Sequence, residues 1–405
     1  MSPESTNIKT MKNKTIKRLA VVLVLAAIAG ARLQAAGLKL IGTNGPPVDF
    51  HGFVSQGFLY SSDYNYLGDN SSKGSFQFTE AGLNASFNPL PRTRIAAQAF
   101  TYDIGQAGKY DVVLDYALAE YAFNDYFGIR AGRIRRPQGI YNDIQDVDVA
   151  RTFVLLPQGI YDARWRDFYV SLDGGEFFGT IPLKLAGSLS YEFYGGMINP
   201  SMDGGAALEI SGSLPPSGHL DSIDSADEFG GQLWWNTPVD GLRFGAAGAV
   251  VPVFNFDATI QTPGGPFNPN NRNEAAFQQY SAEYLWKAWT FQSEIYLRDY
   301  FPEAATMPDT HLLTWYGSAE YRFNKWFEAG AYYTEYYGDL TQPDNSLLYQ
   351  KDAALALRFD ATEWWTFKIE GHYIRGTGLL QDNANNPVQG DNGWWMLAVK
   401  TTFSF

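Results

Sequence analysis

Arginine and aspartate are concentrated in one stretch of the sequence, residues 130–166. This stretch holds seven arginines and four aspartates, a net charge of +3 in a chain whose formal net charge is −13. Its basic residues are all arginine, whose planar guanidinium pairs with carboxylates or recognises anions. The candidate residues of this cluster are Arg130, Arg133, Arg135, Arg136, Asp143, Asp146, Asp148, Arg151, Asp162, Arg164 and Arg166.

Other chemistry has little support in the sequence. The chain has no cysteine, which excludes disulfides, thiolate metal sites and cysteine nucleophiles. The four histidines lie far apart and form no pair with metal-ligand spacing, and no convincing serine nucleophile accompanies them. An acidic run, Asp221–Glu228, is better explained as a solvated loop than as a loose calcium site. We therefore expect no catalytic residue, no metal and no cofactor; the histidines are His51, His219, His311 and His372.

The N-terminus has the features of a secretory signal peptide. A basic segment ending at Arg18 precedes an apolar run, Leu19–Ile28, and small residues follow as far as Ala36. The apolar run is too short to span a bilayer. Without residues 1–35, the chain keeps 24 of its 30 basic residues and 42 of its 43 acidic residues, which gives a net charge of −18. Such a surface repels phosphate backbones, so we expect no nucleic-acid partner.

The remaining sequence alternates with the period of a β-strand. In residues 352–359 and 366–373, apolar side chains alternate with charged ones. Aliphatic and aromatic residues on one face and charges on the other suggest a barrel with lipid outside and water inside. On this basis Lys368, Glu370 and His372 are expected to line the lumen, Leu355 and Leu357 to face lipid, and Lys368→Ala to cost little stability.

Short turns alternate with long polar connections along the chain. Seven short turns and eight long connections join sixteen strands, with both termini at the short-turn, periplasmic end. We therefore predict an all-β fold, a transmembrane antiparallel β-barrel of about 16 strands, as one domain over residues 36–405. The short turns are predicted at residues 88–91, 124–125, 173–175, 236–238, 287–288, 324–325 and 362–363.

Aromatic residues flank several of the short turns, as in pairs such as Trp286/Trp289 and Phe323/Trp326. Aromatic side chains at strand ends are typical of the membrane interface. The last strand ends in Phe405, which resembles the C-terminal signature of Gram-negative outer-membrane barrels. That resemblance implies recognition by the barrel-assembly machinery and contact with outer-membrane lipids.

The third long connection, about residues 134–164, differs from the others. It contains apolar residues from Val147 to Tyr161 that are unsuited to an external loop. We expect this connection to fold inward, bury those residues against the wall and hold the arginine cluster across the channel. Two interpretations of the arginines stay open: a constriction with an anion preference, or arginine–aspartate pairs that only fix the loop.

Residues 132–175, GRIRRPQGIYNDIQDVDVARTFVLLPQGIYDARWRDFYVSLDGG, resemble the constriction segment of a bacterial porin family distantly similar to the phosphate-selective O/P porins. The resemblance implies an outer-membrane porin that passes small hydrophilic solutes or ions by diffusion, usually as a homotrimer. The lysine ladder associated with phosphate capture is missing, which puts phosphate selectivity in doubt. The alternative is a structural or adhesion barrel with a plugged lumen.

Overall fold

The computed structural model describes residues 38–40, 47–268, 272–303, 309–380, 386, 390 and 393–405. The expected signal peptide, residues 1–35, lies outside these residues. The barrel strands are β1 Val48–Ser61, β2 Phe78–Phe87, β3 Thr93–Ile104, β4 Val112–Asn124, β5 Phe127–Arg135, β6 Ser171–Pro182, β7 Ser188–Ile198, β8 Ala226–Asn236, β9 Leu242–Thr262, β10 Arg272–Trp286, β11 Trp289–Pro302, β12 Thr310–Arg322, β13 Phe327–Tyr337, β14 Tyr349–Thr362, β15 Trp365–Gly376 and β16 Trp394–Ser404.

These sixteen strands form a closed antiparallel barrel, as predicted. Each strand pairs with the next along the chain. The last strand, β16, pairs with β1, with Met396 opposite Ser61 at one end and Ser404 opposite Phe53 at the other. Closure gives every barrel strand a partner on both sides, which is the condition for a sheet to exist in lipid. Phe405 extends the last pairing, since its amide and carbonyl both bond to the backbone of Gly52.

The side chains follow the predicted alternation. Leu355 on β14 is 61% exposed on the outer surface, whereas Lys368, Glu370 and His372 on β15 are buried in the interior. Leu357, Phe359, Phe367, Ile369, Leu397 and Val399 share the outer face with Leu355, and Arg358 and Lys400 share the inner face with Lys368. Apolar residues outside and charges inside confirm that this is an inside-out barrel.

Six of the seven short turns lie where they were predicted, and one prediction is wrong. Asp173–Gly175 lies inside β6, opposite Gly195 and Gly196 of β7. A Cβ on Gly174 would come within 2.2 Å of the Gly195 carbonyl oxygen, so these glycines permit close backbone approach rather than a turn. The turn follows at residues 183–187 and ends at Gly187, whose φ is 85°.

Aromatic rings cluster around the short turns, as expected of an interface belt. Trp289 stacks on Phe291 with ring centroids 5.4 Å apart, and Trp365 stacks on Phe403 at 5.3 Å. The long connections carry the helices α1 Arg166–Tyr169 and α2 Gly205–Ser213 and the short strands Gly218–Ile223 and Gly265–Phe267. The short strand Leu38–Leu40 pairs instead with Val48–Phe50, at the short-turn end of β1.

Among the described residues, no helix has the length and apolar character needed to cross a membrane.

The sequence predicts that the acidic run Asp221–Glu228 lies in a solvated loop, and this prediction is wrong for the last two residues of the run. Asp227 and Glu228 lie on β8, and Glu228 is fully buried in the barrel interior. Its carboxylate bonds to Arg136 and to the Tyr194 hydroxyl, which explains how a buried charge is tolerated there.

Candidate functional site

The third long connection runs from Arg136 to Val170 between β5 and β6, the fifth and sixth strands. Its residues bond to the inner face of strands far apart around the barrel. Asp146 accepts a hydrogen bond from Gln98 on β3, the Tyr161 hydroxyl donates to Glu294 on β11 at 2.5 Å, and the Val154 amide donates to Glu370 on β15 at 2.8 Å. The connection is therefore tied to interior side chains on both sides of the barrel.

The apolar part of this connection is largely buried, as predicted. The residues from Phe153 to Leu156 and the pair Ile160 and Tyr161 are all less than a tenth exposed. Val147 and Val149 were expected to be buried with them and are not, since they are 39% and 36% exposed. With Asp143 and Ala150, they form an edge of the connection that faces solvent.

Five arginines of the cluster pair with nearby carboxylates. Arg135 lies 2.5 Å from Asp115 and 2.8 Å from Asp146, and Arg166 lies 2.9 Å from the other oxygen of Asp115. The remaining pairs are Arg136–Glu228 at 3.1 Å, Arg151–Asp148 at 3.6 Å and Arg164–Asp162 at 2.6 Å.

These pairs favour the interpretation in which the arginines hold the connection in place. Asp115 and Glu228 come from the wall, and they offset two of the three excess positive charges of the segment. The basis for the expected anion preference is weaker for this reason, and that preference stays a prediction.

Two predicted cluster residues on β5 lie away from the connection's own ion pairs. Arg130 faces the interior and pairs with Glu120 at 3.0 Å and Glu176 at 2.9 Å on the neighbouring strands. Arg133 lies on the outer face, where it pairs with the half-exposed Asp173 at 3.3 Å. Placing Arg133 at a constriction is therefore wrong.

Asp148 is the most heavily bonded acid of the connection. Its Oδ1 lies 3.1 Å from the Lys368 ammonium and 3.2 Å from that of Lys400, and its Oδ2 accepts a hydrogen bond of 2.7 Å from Thr402. Burial, the largest influence, raises the pKa of Asp148, but Lys368, Lys400 and Arg151 outweigh it and hold that pKa well below its ordinary value. The group is a carboxylate fixed between two wall lysines.

Lys368, predicted to tolerate truncation, is not a simple wall residue. It is fully buried, and its ammonium also donates to the backbone carbonyls of Asp148 and Phe153 at 2.7 and 3.2 Å. Removing it would leave Asp148 with one lysine fewer in a buried site. We therefore correct that expectation: Lys368→Ala should be costly.

Glu370 and His372 complete the predicted lumen wall. Glu370 accepts from the Val154 and Leu155 amides at 2.8 and 3.0 Å, so it caps two backbone donors of the connection. The His372 ring lies between Asp352 and Glu370, 2.9 Å from an oxygen of each. Both ring nitrogens are thus engaged by carboxylates.

Glu294 on β11 was missed by sequence reasoning. One of its oxygens accepts from the Ile140 amide at 2.9 Å and the other from the Tyr161 hydroxyl at 2.5 Å, and Ser281 and Tyr316 on neighbouring strands also donate to it. Its position on the inward face could have been read from the strand period. Its partners on the third connection, Ile140 and Tyr161, could not, since they lie more than a hundred residues away along the chain.

The arrangement of the described side chains also bears on metal binding and on catalysis. No group of three or more histidine or acidic residues in the described ranges is arranged to hold a metal ion. His372, the histidine most engaged with the interior, contacts two carboxylates rather than a hydroxyl. The site is therefore best described as a network that fixes the third connection.

Comparison with known proteins rests on structure. No protein-family model matches the chain, and no curated protein is significantly similar to it in sequence. Solved structures do match over nearly the full length. The outer-membrane expressed OmpT of Vibrio cholerae aligns with a TM-score of 0.57 at 11% identity, covering 90% of this chain and 100% of that one. This chain has the fold of the outer-membrane porins.

Two further porins give similar values. The anion-selective porin from Comamonas acidovorans aligns with a TM-score of 0.56 at 11% identity, covering 88% of this chain and 99% of that chain. OmpF of Salmonella typhi, solved in complex with daunomycin, aligns with a TM-score of 0.55 at 13% identity, covering 91% of this chain and 100% of that chain. At such identities the likeness establishes the fold alone, and the chemistry must be argued from this chain's residues.

Proposed function

We propose that the protein is an outer-membrane channel in a Gram-negative bacterium, through which small hydrophilic solutes diffuse passively. The observation that carries this is the third connection, bonded to interior side chains of β3, β11 and β15 within a closed barrel. Such a segment lies in the lumen and narrows it to a constriction. The solvent-exposed edge formed by Asp143, Val147, Val149 and Ala150 supports an opening beside the segment.

The constriction holds Arg135, Arg136, Arg151, Arg164 and Arg166 with Asp143, Asp146, Asp148 and Asp162, while Lys368, Glu370 and His372 form the wall behind them. Arg130 lines the wall nearby among the acids of β4 and β6. Because the connection's arginines are matched by carboxylates, we propose weak ion selectivity rather than an anion preference. No catalytic step, metal or cofactor forms part of this function.

Passive diffusion is tested by swelling of proteoliposomes in iso-osmotic solutions of uncharged sugars of increasing size. A channel predicts swelling rates that fall steeply with solute size and do not saturate with solute concentration. A correctly folded barrel that gives no swelling with any solute would instead support the alternative of a plugged structural or adhesion barrel. Folding is checked by the β-sheet signal in circular dichroism and by resistance to unfolding in detergent.

We also propose a homotrimer assembled through the barrel wall. Ala97 and Ala99 lie on the outer face of β3, where small side chains permit close approach of a second wall. Assembly into the membrane would depend on the C-terminal Phe405, which is 43% exposed. Native mass measurement in mild detergent tests the trimer, and a monomer at every protein concentration would refute it.

A further inference from the structure

A cavity of about 320 Å³ lies in the barrel at the long-connection end, above the third connection. Its walls come from that connection, from α2 and from the inner faces of β11, β12 and β13. The residues that decide its chemistry are Trp165, Tyr169, Glu209, Tyr296, Arg298 and Tyr336. A cavity of this size, with apolar walls and a few polar groups, is of the kind that binds small organic molecules.

Arg298 is the least satisfied arginine of this region. Its Nη1 donates to the Tyr169 hydroxyl at 3.0 Å, and its nearest carboxylate oxygen, on Glu209, is 3.8 Å away, beyond hydrogen-bond distance. In contrast, Arg164 beside it makes a paired contact with Asp162 at 2.9 and 2.6 Å. The Arg298 guanidinium therefore keeps N–H donors available for a ligand. These donors lie in one plane, which suits hydrogen bonding to both oxygens of a carboxylate.

Glu209 and Tyr296 add complementary groups to the same cavity. Glu209 is 49% exposed on α2, and its carboxylate forms a long ion pair with Arg298 at 3.8 Å, beyond hydrogen-bond distance. Tyr296 is buried and lines the same cavity. The cavity thus places a guanidinium and a carboxylate close to each other.

Aromatic rings form the apolar part of the cavity. The rings of Trp165 and Tyr169 stack with centroids 5.4 Å apart, and the Arg298 guanidinium lies 5.8 Å from the Trp165 ring. Tyr336 lines the cavity from β13. Stacked rings provide a flat surface for an aromatic or branched apolar group, and their contact with Arg298 holds the fork in place.

We propose that this cavity binds an α-amino acid with an aromatic or branched side chain, in its zwitterionic form, as a solute on its way through the channel. The ligand's carboxylate accepts hydrogen bonds from the Arg298 guanidinium, its ammonium pairs with Glu209, and its side chain packs on Trp165 and Tyr336. A purely anionic solute would be repelled by Glu209, and a purely cationic solute would be repelled by Arg298, so neither pairs with both groups. This inference rests on the proposed function, because it names a solute class for that channel.

The test compares three ligands that differ by one charged group each. Calorimetric titration of the purified full-length protein uses L-phenylalanine, 3-phenylpropionate, which lacks the amine, and 2-phenylethylamine, which lacks the carboxylate. We expect L-phenylalanine to bind at least about tenfold more tightly than either, since each loses one charge-assisted hydrogen bond. Arg298→Gln and Glu209→Gln should each weaken its binding by about tenfold.

Arg272→Gln is the matched control, because Arg272 also lies 3.8 Å from a carboxylate, that of Glu303, but outside the cavity. It should leave binding unchanged. Equal or tighter binding of 3-phenylpropionate, or unchanged binding in Arg298→Gln, would overturn the proposal. Ion conductance of the same preparations separates the two claims: conductance without binding refutes this inference alone, and absent conductance in a folded barrel refutes the proposed function.

Discussion

Replacement of Asp148 by asparagine should be among the most destabilising isosteric changes in the barrel. Asparagine keeps the shape of the side chain and can still accept a hydrogen bond from Thr402, so the substitution removes little but the negative charge. That charge lies 3.1 and 3.2 Å from two lysine ammoniums, both buried. The variant therefore measures what a buried carboxylate contributes between two fixed cations.

The expected cost is about 3–5 kcal/mol of unfolding free energy, the range found when one partner of a buried ion pair is removed. Lys400 retains Glu80 at 2.6 Å, whereas Lys368 is left with backbone carbonyls as its remaining partners. The loss should therefore fall mainly on the attachment of the third connection at β15. We expect residues 146–154 to exchange amide hydrogens faster than the barrel strands in this variant.

The measurement is urea unfolding of the purified protein in lipid vesicles, followed by tryptophan fluorescence. Asp173→Asn is the matched control, since Asp173 pairs with Arg133 but is 48% exposed, and it should cost no more than about 1 kcal/mol. If the two variants lost equal stability, Asp148 would not be a buried anchor and the network described here would be wrong.

The same carboxylate has a defined pH dependence. Because the folded-state pKa of Asp148 is depressed, its stabilisation is present above the unfolded pKa of about 3.9 and is lost as pH falls through the folded value. The difference between wild type and Asp148→Asn should not shrink between pH 7 and about pH 5, and it should shrink below about pH 4. A difference that shrinks already between pH 7 and pH 6 would contradict the depressed pKa.

Three further outcomes are expected. Leu357→Arg on the lipid face should cost about 2–4 kcal/mol in the urea assay, and a cost below about 1 kcal/mol would mean that this face does not meet lipid. Burial raises the pKa of Asp167 to about 6, so its ionised form is unfavourable in the folded state and stability is lost as pH rises through that value. In urea titrations, Asp167→Asn should therefore be more stable than wild type at pH 7 and equal to it near pH 4. Arg135→Ala removes the positive charge beside Asp115 and Asp146, and it should move the reversal potential in a salt gradient toward cation selectivity. Arg133→Ala, which changes an outward-facing residue, should not move it. Equal shifts in the two variants would show that the reversal potential is not set at the constriction.

The barrel was predictable because its signals are local. Period-two alternation placed Lys368, Glu370 and Leu357 on the correct faces, since a strand side chain can point only inward or outward. Turn positions were predictable where asparagine, proline or lysine interrupts the alternation. They failed at Gly174–Gly175, because a glycine pair permits either a tight turn or close contact between strands, and only the neighbouring strand decides.

The site was predictable in composition but not in pairing. The sequence identified the arginine-rich third connection, but the partners Asp115, Glu228 and Glu294 come from strands whose positions depend on barrel closure. Arg136 and Glu228 are 92 residues apart, so no local pattern links them. The net charge in the channel depends on these distant wall carboxylates, so the anion preference inferred from the segment alone stays a prediction.

Single-channel recording in planar lipid bilayers tests the central claim most directly. The wild-type protein should insert in discrete conductance steps, and Asp148→Asn, with its third connection loosened, should give larger or noisier steps from the same barrel. Wild-type protein that is folded by circular dichroism and inserted in the bilayer, yet passes no ions, would show that the third connection plugs the lumen and would contradict the account.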